Sequence, residues 1–220
     1  MRIGILLAGG RGERMAAGRN KVLLDLAGRP LIMYPLATLR ACCSRVLIVS
    51  APEDMEEIQR IAPDLTVVPG GATRHGSEWN GLRALRGAVA AGDVVALHDA
   101  ARPLVSAADV AAVFEAAEAL GAAMLAAACA VPAIETRDGR VVQAHDAAQL
   151  WRAQTPQAAR GAWLIDAYER AAATGFDGTD TAAVLSGAGY ACRVVVATAE
   201  NPKVTVPGDL ARAEALLAGR

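Results

Sequence analysis

Residues 7–15 read Leu-Ala-Gly-Gly-Arg-Gly-Glu-Arg-Met at the end of an apolar run, and Lys21 follows shortly after. Glycines at 9, 10 and 12 allow backbone dihedrals closed to other residues, so N–H groups can come close to an anion, while Arg11, Arg14 and Lys21 add cationic charge. The ligand expected from this pattern is a nucleoside triphosphate. A Walker loop is excluded, because Glu13 follows Gly12 and Val22 follows Lys21 where that loop needs lysine and a hydroxyl residue. The dinucleotide fingerprint fails as well, since its third glycine would fall on Glu13 or Met15. Two uses remain open: a phosphate cradle of another kind, and a glycine-rich turn that serves only the fold.

Five other segments could do chemistry. In His98-Asp99-Ala-Ala-Arg102-Pro103 a charged triplet leaves an apolar strand, and Asp99 is the candidate carboxylate for a hard divalent cation beside phosphates. Its alternative is a helix cap or an ion pair with Arg102. Lys203, in Asn201-Pro-Lys-Val-Thr-Val, is a lone cation in an apolar strand-like run, poised for a ligand or simply facing solvent. Gly70-Gly71-Ala-Thr-Arg-His-Gly-Ser77 is a second small-residue loop opening a helix, able to approach a base or ribose. Thr155 in Gln-Thr-Pro-Gln and the run Thr179-Asp180-Thr181 sit where helices are expected to start, and their ordinary job there is capping. His75, His98 and His145 lack an Asp/Ser partner or metal spacing in sequence, so structural or solvent-facing roles are expected.

The elements that must position these groups alternate. Strands are expected at 3–7, 45–50, 65–68, 94–98 and 191–197, and helices at about 31–42, 54–61, 76–90, 107–120, 158–173 and 208–218. Near-continuous apolar strands separated by helices predict a parallel sheet covered on both faces. Ligands in such sheets gather at the carboxyl ends of the strands. The first glycine loop, Gly70-Gly71 and Asp99 therefore converge on one rim. Residues 130–153 break the alternation with an Asp138-Gly139 turn between short β-like flanks, which predicts a hairpin arm. A two-stranded ribbon is marginal alone, so it should pack on its own domain or on the same arm of a second subunit.

Composition narrows the classes. A chain of 220 residues with 54% hydrophobic content fits one α/β domain over 1–220. A net charge of −1 argues against nucleic acid or an anionic membrane as partner. Cys42, Cys43, Cys129 and Cys192 have no paired spacing, so buried free thiols are expected. Only a short apolar strand follows Arg2, with neither a signal peptide nor a membrane span expected, and the cytoplasm is the default location.

Taken together, the loop at 7–15 with Lys21, Gly-Gly-x-x-Arg-x-x-Ser at 70–77, His-Asp-Ala-Ala-Arg-Pro at 98–103, Gln-Thr-Pro-Gln at 154–157, Thr-Asp at 179–180 and Asn-x-Lys-Val-Thr at 201–205 resemble the 2-C-methyl-D-erythritol 4-phosphate cytidylyltransferase family. The resemblance implies a Rossmann-like nucleotidyltransferase fold with a protruding β-arm. It also implies transfer from CTP to methylerythritol phosphate in the non-mevalonate isoprenoid pathway, a Mg²⁺ requirement, and a homodimer through the arm. By the same resemblance, Arg14 and Lys21 stabilise the transition state, and Ala8, Gly9, Gly10 and Gly12 wrap the triphosphate. Gly71 and Ser77 hold the cytidine, and Asp99 holds Mg²⁺. Arg102, Thr136, Thr155, Thr179 and Lys203 contact the methylerythritol phosphate, with Lys203 steering its phosphate toward attack. The chain departs from the family pattern at Asn20, Val22, Ala72 and Glu135, and at Ala147, where the family has an arm arginine that binds the substrate phosphate. Arg152 or Arg140 is expected to replace that arginine. Two readings stand beside this one: a cytidylyltransferase for ribitol 5-phosphate or another polyol phosphate, and a nucleotide-binding domain without turnover.

Overall fold

The computed structural model describes residues 1–10, 15 and 18–219. The chain opens with β1 (Arg2–Ala8), a small ribbon of β2 (Asp25–Leu26) and β3 (Arg29–Pro30), α1 (Met33–Cys42) and β4 (Arg45–Ser50). It continues through α2 (Met55–Ile61), β5 (Thr66–Pro69), α3 (Arg74–Ala84), β6 (Val94–Asp99), α4 (Ala107–Leu120) and β7 (Ala122–Ala128). The arm strands β8 (Ala133–Arg137) and β9 (Arg140–His145) precede β10 (Trp151–Arg160), α5 (Gly161–Thr174), α6 (Thr181–Gly187), β11 (Arg193–Val196) and α7 (Pro207–Ala218).

Seven strands form one sheet in the order β11-β7-β10-β6-β1-β4-β5. Only β10 runs against its neighbours β6 and β7. Side chains alternate along β1: Ile3, Ile5 and Leu7 enter one core with Leu82, Leu164 and Tyr168, while Leu6 and Ala8 enter the other with Leu36, Ile48 and Phe114. The sheet is thus buried on both faces, as its continuous apolar strands require. A third core of Leu26, Leu31, Leu104, Val204 and Ala213 docks the C-terminal helix beneath the 201–205 segment.

Four expectations need correction. The helix placed at 158–173 begins only at Gly161, because residues 151–160 form β10. This strand and β7 are alanine-rich (Trp-Arg-Ala-Gln-Thr-Pro-Gln-Ala-Ala-Arg and Ala-Ala-Met-Leu-Ala-Ala-Ala). Alanine favours helix by propensity, but both segments lie inside the sheet, where small side chains suit close packing of the flanking helices. Thr155 is accordingly a strand residue and caps no helix, and the 201–205 segment that carries Lys203 is irregular instead of a strand. The four cysteines are free, as expected, but partly exposed instead of buried; enough surface is lost around Cys43 for burial to push its thiol up to about 12.

The hairpin arm forms where Asp138-Gly139 predicted it. Both residues take positive φ, 51° and 75°, the backbone that a two-residue hairpin turn demands. Val131, Ile134, Val141 and Val142 on this arm, with Trp151 at its base, are 41–69% exposed, a run of apolar surface without cover on this chain.

Candidate active site

The sheet register sets the rim. Leu7 at the end of β1 stands opposite Asp99 at the end of β6, Ala8 opposite Ser50, and Ser50 opposite Pro69. The first glycine loop, the Gly70-Gly71 loop and Asp99 therefore leave the sheet side by side. Because β10 is antiparallel, its early residues arrive at the same edge, and the Thr155 hydroxyl accepts the Asp99 N–H at 3.0 Å.

Asn20 ties the next part of the loop to the rim. Its amide donates to the Ala8 carbonyl and to Asp54, each at 2.8 Å, and its oxygen accepts from Val22 N–H. This fixes the single 3-10 turn that starts at Lys21, whose side chain is buried. The departure at position 20 thus performs a structural task by hydrogen bonding. Gly9 lies against Ser77 and the Ser50–Ala51 backbone, and a Cβ on Gly10 would meet open space; Arg11, Gly12 and Arg14 fall outside the described residues.

The second loop is shaped by close contact. A Cβ on Gly71 would sit 2.6 Å from the Gly76 carbonyl carbon, so only glycine fits there. Ser77 holds the loop from within: its hydroxyl accepts Gly71 N–H at 3.0 Å and donates to the Thr73 carbonyl at 3.0 Å. Thr73 caps α3 by accepting Gly76 N–H. The helix begins at Arg74, directed back to the rim.

Asp99 is the centre of the charged cluster. Its Oδ1 accepts from Arg74 Nε and Nη2 at 3.3 and 3.2 Å, its Oδ2 accepts from Lys203 Nζ at 2.7 Å, and Arg102 Nε stands 3.8 Å away. Burial opposes ionisation of Asp99, but Arg74 and Lys203, with Arg102 behind them, outweigh it and hold the carboxyl well below the usual carboxylate range. The pairing with Arg102 expected from sequence is therefore the weakest of three. Arg102 instead staples two segments: Nη1 donates to the Asn201 carbonyl at 2.8 Å and Nη2 to the Ala153 carbonyl at 3.2 Å. Its buried Nε–H has no hydrogen-bond partner among the described residues. Burial lowers the basicity of Arg102, Asp99 raises it, and Arg74 and then Arg152 lower it further, so Arg152 also stands within electrostatic reach of the cluster. Arg140 pairs with Arg137 on the exposed arm.

Lys203 reaches Asp99 because its neighbours are pinned. Asn201 donates its amide to the Thr155 carbonyl at 3.1 Å, and Val204, fully buried, donates its N–H to the Ala101 carbonyl at 2.8 Å. His98 completes the support. Its Nε2 faces the Arg102 carbonyl at 3.2 Å and must donate, which leaves Nδ1 to accept from the Thr155 hydroxyl at 3.1 Å. Burial drives this imidazole down to about 4. The histidine is a neutral strut, as its lack of metal spacing suggested.

The remaining expected residues divide. Asp180 caps α6 through the Ala183 N–H and accepts from Gln157, while Thr179 just before it is exposed. Thr136 lies on the exposed arm, in register with Val141. Arg74 and Glu78 were not singled out from sequence, although Arg74 is the fixed arginine of the Gly-Gly-x-x-Arg-x-x-Ser motif.

What can such a cluster hold? Arg74, Arg102 and Lys203 outnumber the carboxylates Asp99 and Glu78 that pair with them, which favours phosphate. No group of three or more potential metal ligands occurs among the described residues. Mg²⁺ commonly uses one or two carboxylates together with substrate phosphates, and a carboxylate offers about four lone-pair sites. Asp99 is a carboxylate of the kind that can hold a cation arriving with a nucleotide.

Comparison with known proteins agrees with this chemistry. The family described as 2-C-methyl-D-erythritol 4-phosphate cytidylyltransferase (IspD) matches residues 3–219. The protein of that name from Geobacillus kaustophilus is 36% identical, covering 98% of this chain and 96% of its own, and that from Geobacillus thermodenitrificans is 37% identical with the same coverage. Among solved structures, the Thermus thermophilus protein of that name superposes with a TM-score of 0.81 at 30% identity, covering 99% of this chain and 100% of its own.

Proposed function

Because the chain belongs to the 2-C-methyl-D-erythritol 4-phosphate cytidylyltransferase family, we propose the following course for the cytidylyl transfer from CTP to 2-C-methyl-D-erythritol 4-phosphate at this rim. An oxygen of the polyol phosphate attacks the α-phosphorus of CTP, forming a new P–O–P link. The bond from the α-phosphorus to the bridging oxygen breaks, and pyrophosphate leaves. The products are 4-diphosphocytidyl-2-C-methyl-D-erythritol and pyrophosphate. Such a reaction needs two anions positioned in line and charge stabilised on the equatorial oxygens and the leaving group, with little acid–base work.

The observation that carries this reading is the cationic ring around Asp99, on the same rim as the glycine loop and Lys21. Ala8, Gly9, Gly10 and Gly12 wrap the triphosphate, and Arg14 and Lys21 act on the phosphoryl group in transfer. Gly71 and Ser77 shape the cytidine side; since the Ser77 hydroxyl is occupied within its loop, its contribution is the loop's form. Lys203 and Arg102 receive the polyol phosphate, both standing at Asp99 Oδ2. Thr155 serves this site by fixing the Asp99 backbone, and Thr179 borders it. Mg²⁺ neutralises charge across the triphosphate when bound, and Asp99 would hold it together with phosphate oxygens. Arg152 supplies the cation that Ala147 does not. We assign the exposed apolar arm to a homodimer contact, through which Thr136 comes to a neighbouring site. No helix of the described residues is long and apolar enough to cross a membrane, and four free thiols suit a reducing compartment such as the cytoplasm.

Purified protein with CTP and Mg²⁺ should release pyrophosphate when methylerythritol phosphate is added, and much more slowly with ribitol 5-phosphate. Equal or faster release with ribitol 5-phosphate would reassign the substrate.

A further inference from the structure

Glu78 places a carboxyl group where water cannot reach it; burial pushes its pKa up, and Arg74, followed by the hydroxyls of Thr181 and Tyr168, counters that shift by favouring the ionised form. Its side chain is fully buried on α3, and a carboxylate in such a position is costly unless every part of it is paired. Here each oxygen is served. Oε1 accepts from Arg74 Nη1 at 2.6 Å and from the Thr181 hydroxyl at 2.6 Å, and Oε2 accepts from the Tyr168 hydroxyl at 2.7 Å. Three helices thus meet on one carboxylate: α3 supplies it, α5 supplies Tyr168, and α6 supplies Thr181 at its first residue. His75, next to Arg74, stacks on the Tyr168 ring with centroids 4.8 Å apart.

Joining three helices does not require a charge. A neutral or apolar group of similar size would do so as well or better, because no ion would have to be stripped of water. The charge is explained by its partner. Arg74 splits its guanidinium, one nitrogen on Glu78 and two on Asp99 Oδ1, and Asp99 Oδ2 in turn holds Lys203. A continuous chain of charge-assisted hydrogen bonds therefore runs from the buried Tyr168 hydroxyl to the partly exposed side chain of Lys203.

We propose that Glu78 is a positioning residue of the transfer reaction: by clamping Arg74 from the interior, it sets the orientation of Asp99 and, through it, of Lys203 toward the polyol phosphate. The inference rests on the assignment of the Asp99 cluster to that substrate. Without the Glu78 charge, Arg74 is held only at Asp99 and is free to swing, and Asp99 loses the counter-pull that keeps its second oxygen on Lys203. The nucleotide side of the rim is held by different bonds, from the Ser77 hydroxyl to the Gly71 N–H and the Thr73 carbonyl.

Two readouts test it. In Glu78→Gln, assayed well below its unfolding temperature, KM for methylerythritol phosphate should rise at least about tenfold, the scale of one lost charge-assisted hydrogen bond, while KM for CTP stays within about twofold. Arginine-selective nitrogen-15 spectra should show the Arg74 Nε–H protected from solvent exchange in the unaltered protein and exchanging at least about tenfold faster in the variant. Thr181→Val, which removes one donor and leaves the charge, should move both readouts in the same direction by less, and stands in if Glu78→Gln does not fold. Unchanged KM for the polyol phosphate alongside a lowered unfolding temperature would show Glu78 to be structural glue only. Unchanged Arg74 exchange would overturn the clamp itself. If the unaltered protein fails to turn over methylerythritol phosphate, the functional assignment fails, and the exchange measurement still decides the clamp.

Discussion

Replacing Asp99 with asparagine keeps the shape of the side chain and removes the one negative charge on which Arg74, Lys203 and Arg102 converge. A buried ion pair broken on one side costs about 3–5 kcal/mol, because the remaining charges stay desolvated without compensation. The cost here is smaller. The Lys203 side chain is 36% exposed and that of Arg74 25%, so both can recover hydration, and Arg74 keeps Glu78 as partner. A loss of about 2–3 kcal/mol follows, which in a domain of this size lowers the unfolding temperature by roughly 5–10 °C. Thermal unfolding followed by circular dichroism measures this directly. Steady-state kinetics on the same sample should show KM for methylerythritol phosphate raised and kcat reduced, since Lys203 has lost its anchor. An unfolding temperature within about 1 °C of the unaltered protein would refute the reasoning that Asp99 holds the cluster together.

Other perturbations separate the parts of the site. Lys21→Ala should lower kcat by two to three orders of magnitude, roughly the effect of removing one preorganised charge from a transition state, with CTP affinity by calorimetry changed far less; near-normal turnover would remove Lys21 from catalysis. Arg152→Ala should raise KM for methylerythritol phosphate about tenfold, whereas Arg140→Ala on the arm should leave it near the starting value; the reverse order would move the missing phosphate contact to the arm. His98 links stability to pH. Its folded value, about 4, lies below the ordinary 6.5, so the unfolded chain takes up a proton first as pH falls. Its contribution is complete above about pH 6.5 and is lost progressively toward pH 4, by about 3 kcal/mol. Denaturant curves of the unaltered protein and His98→Asn should therefore converge between pH 7 and pH 4.5; parallel loss of stability would contradict the buried neutral histidine.

The sequence made the rim legible where residue type and position act together. Strand ends expected at 7, 68 and 98 from apolar runs fall one residue short of the observed Ala8, Pro69 and Asp99, and the arm was readable from Asp138-Gly139, where few other pairs accept that turn. The centre of the sheet was harder. β7 and β10 consist largely of alanine, glutamine and arginine, so local propensity points toward helix and only tertiary burial makes them strands. Missing β10 also misplaced Thr155, whose role depends on an antiparallel neighbour 56 residues away at Asp99. Lys203 was readable as an isolated cation, but its partner was not, since 104 residues separate it from Asp99. Glu78 left no local trace beyond a charge four residues after Arg74, a spacing that exposed helices also use for surface pairs. Only the packing of α5 and α6 around it shows that this pair is buried.

The central claim is the bond that forms. Phosphorus-31 spectra of a reaction containing CTP, methylerythritol phosphate and Mg²⁺ should show the polyol phosphate resonance replaced by two coupled diester resonances of equal area, with one pyrophosphate released per product. Release of pyrophosphate with CMP as the other product, and no coupled pair, would show water instead of the polyol phosphate as the nucleophile and would contradict the account.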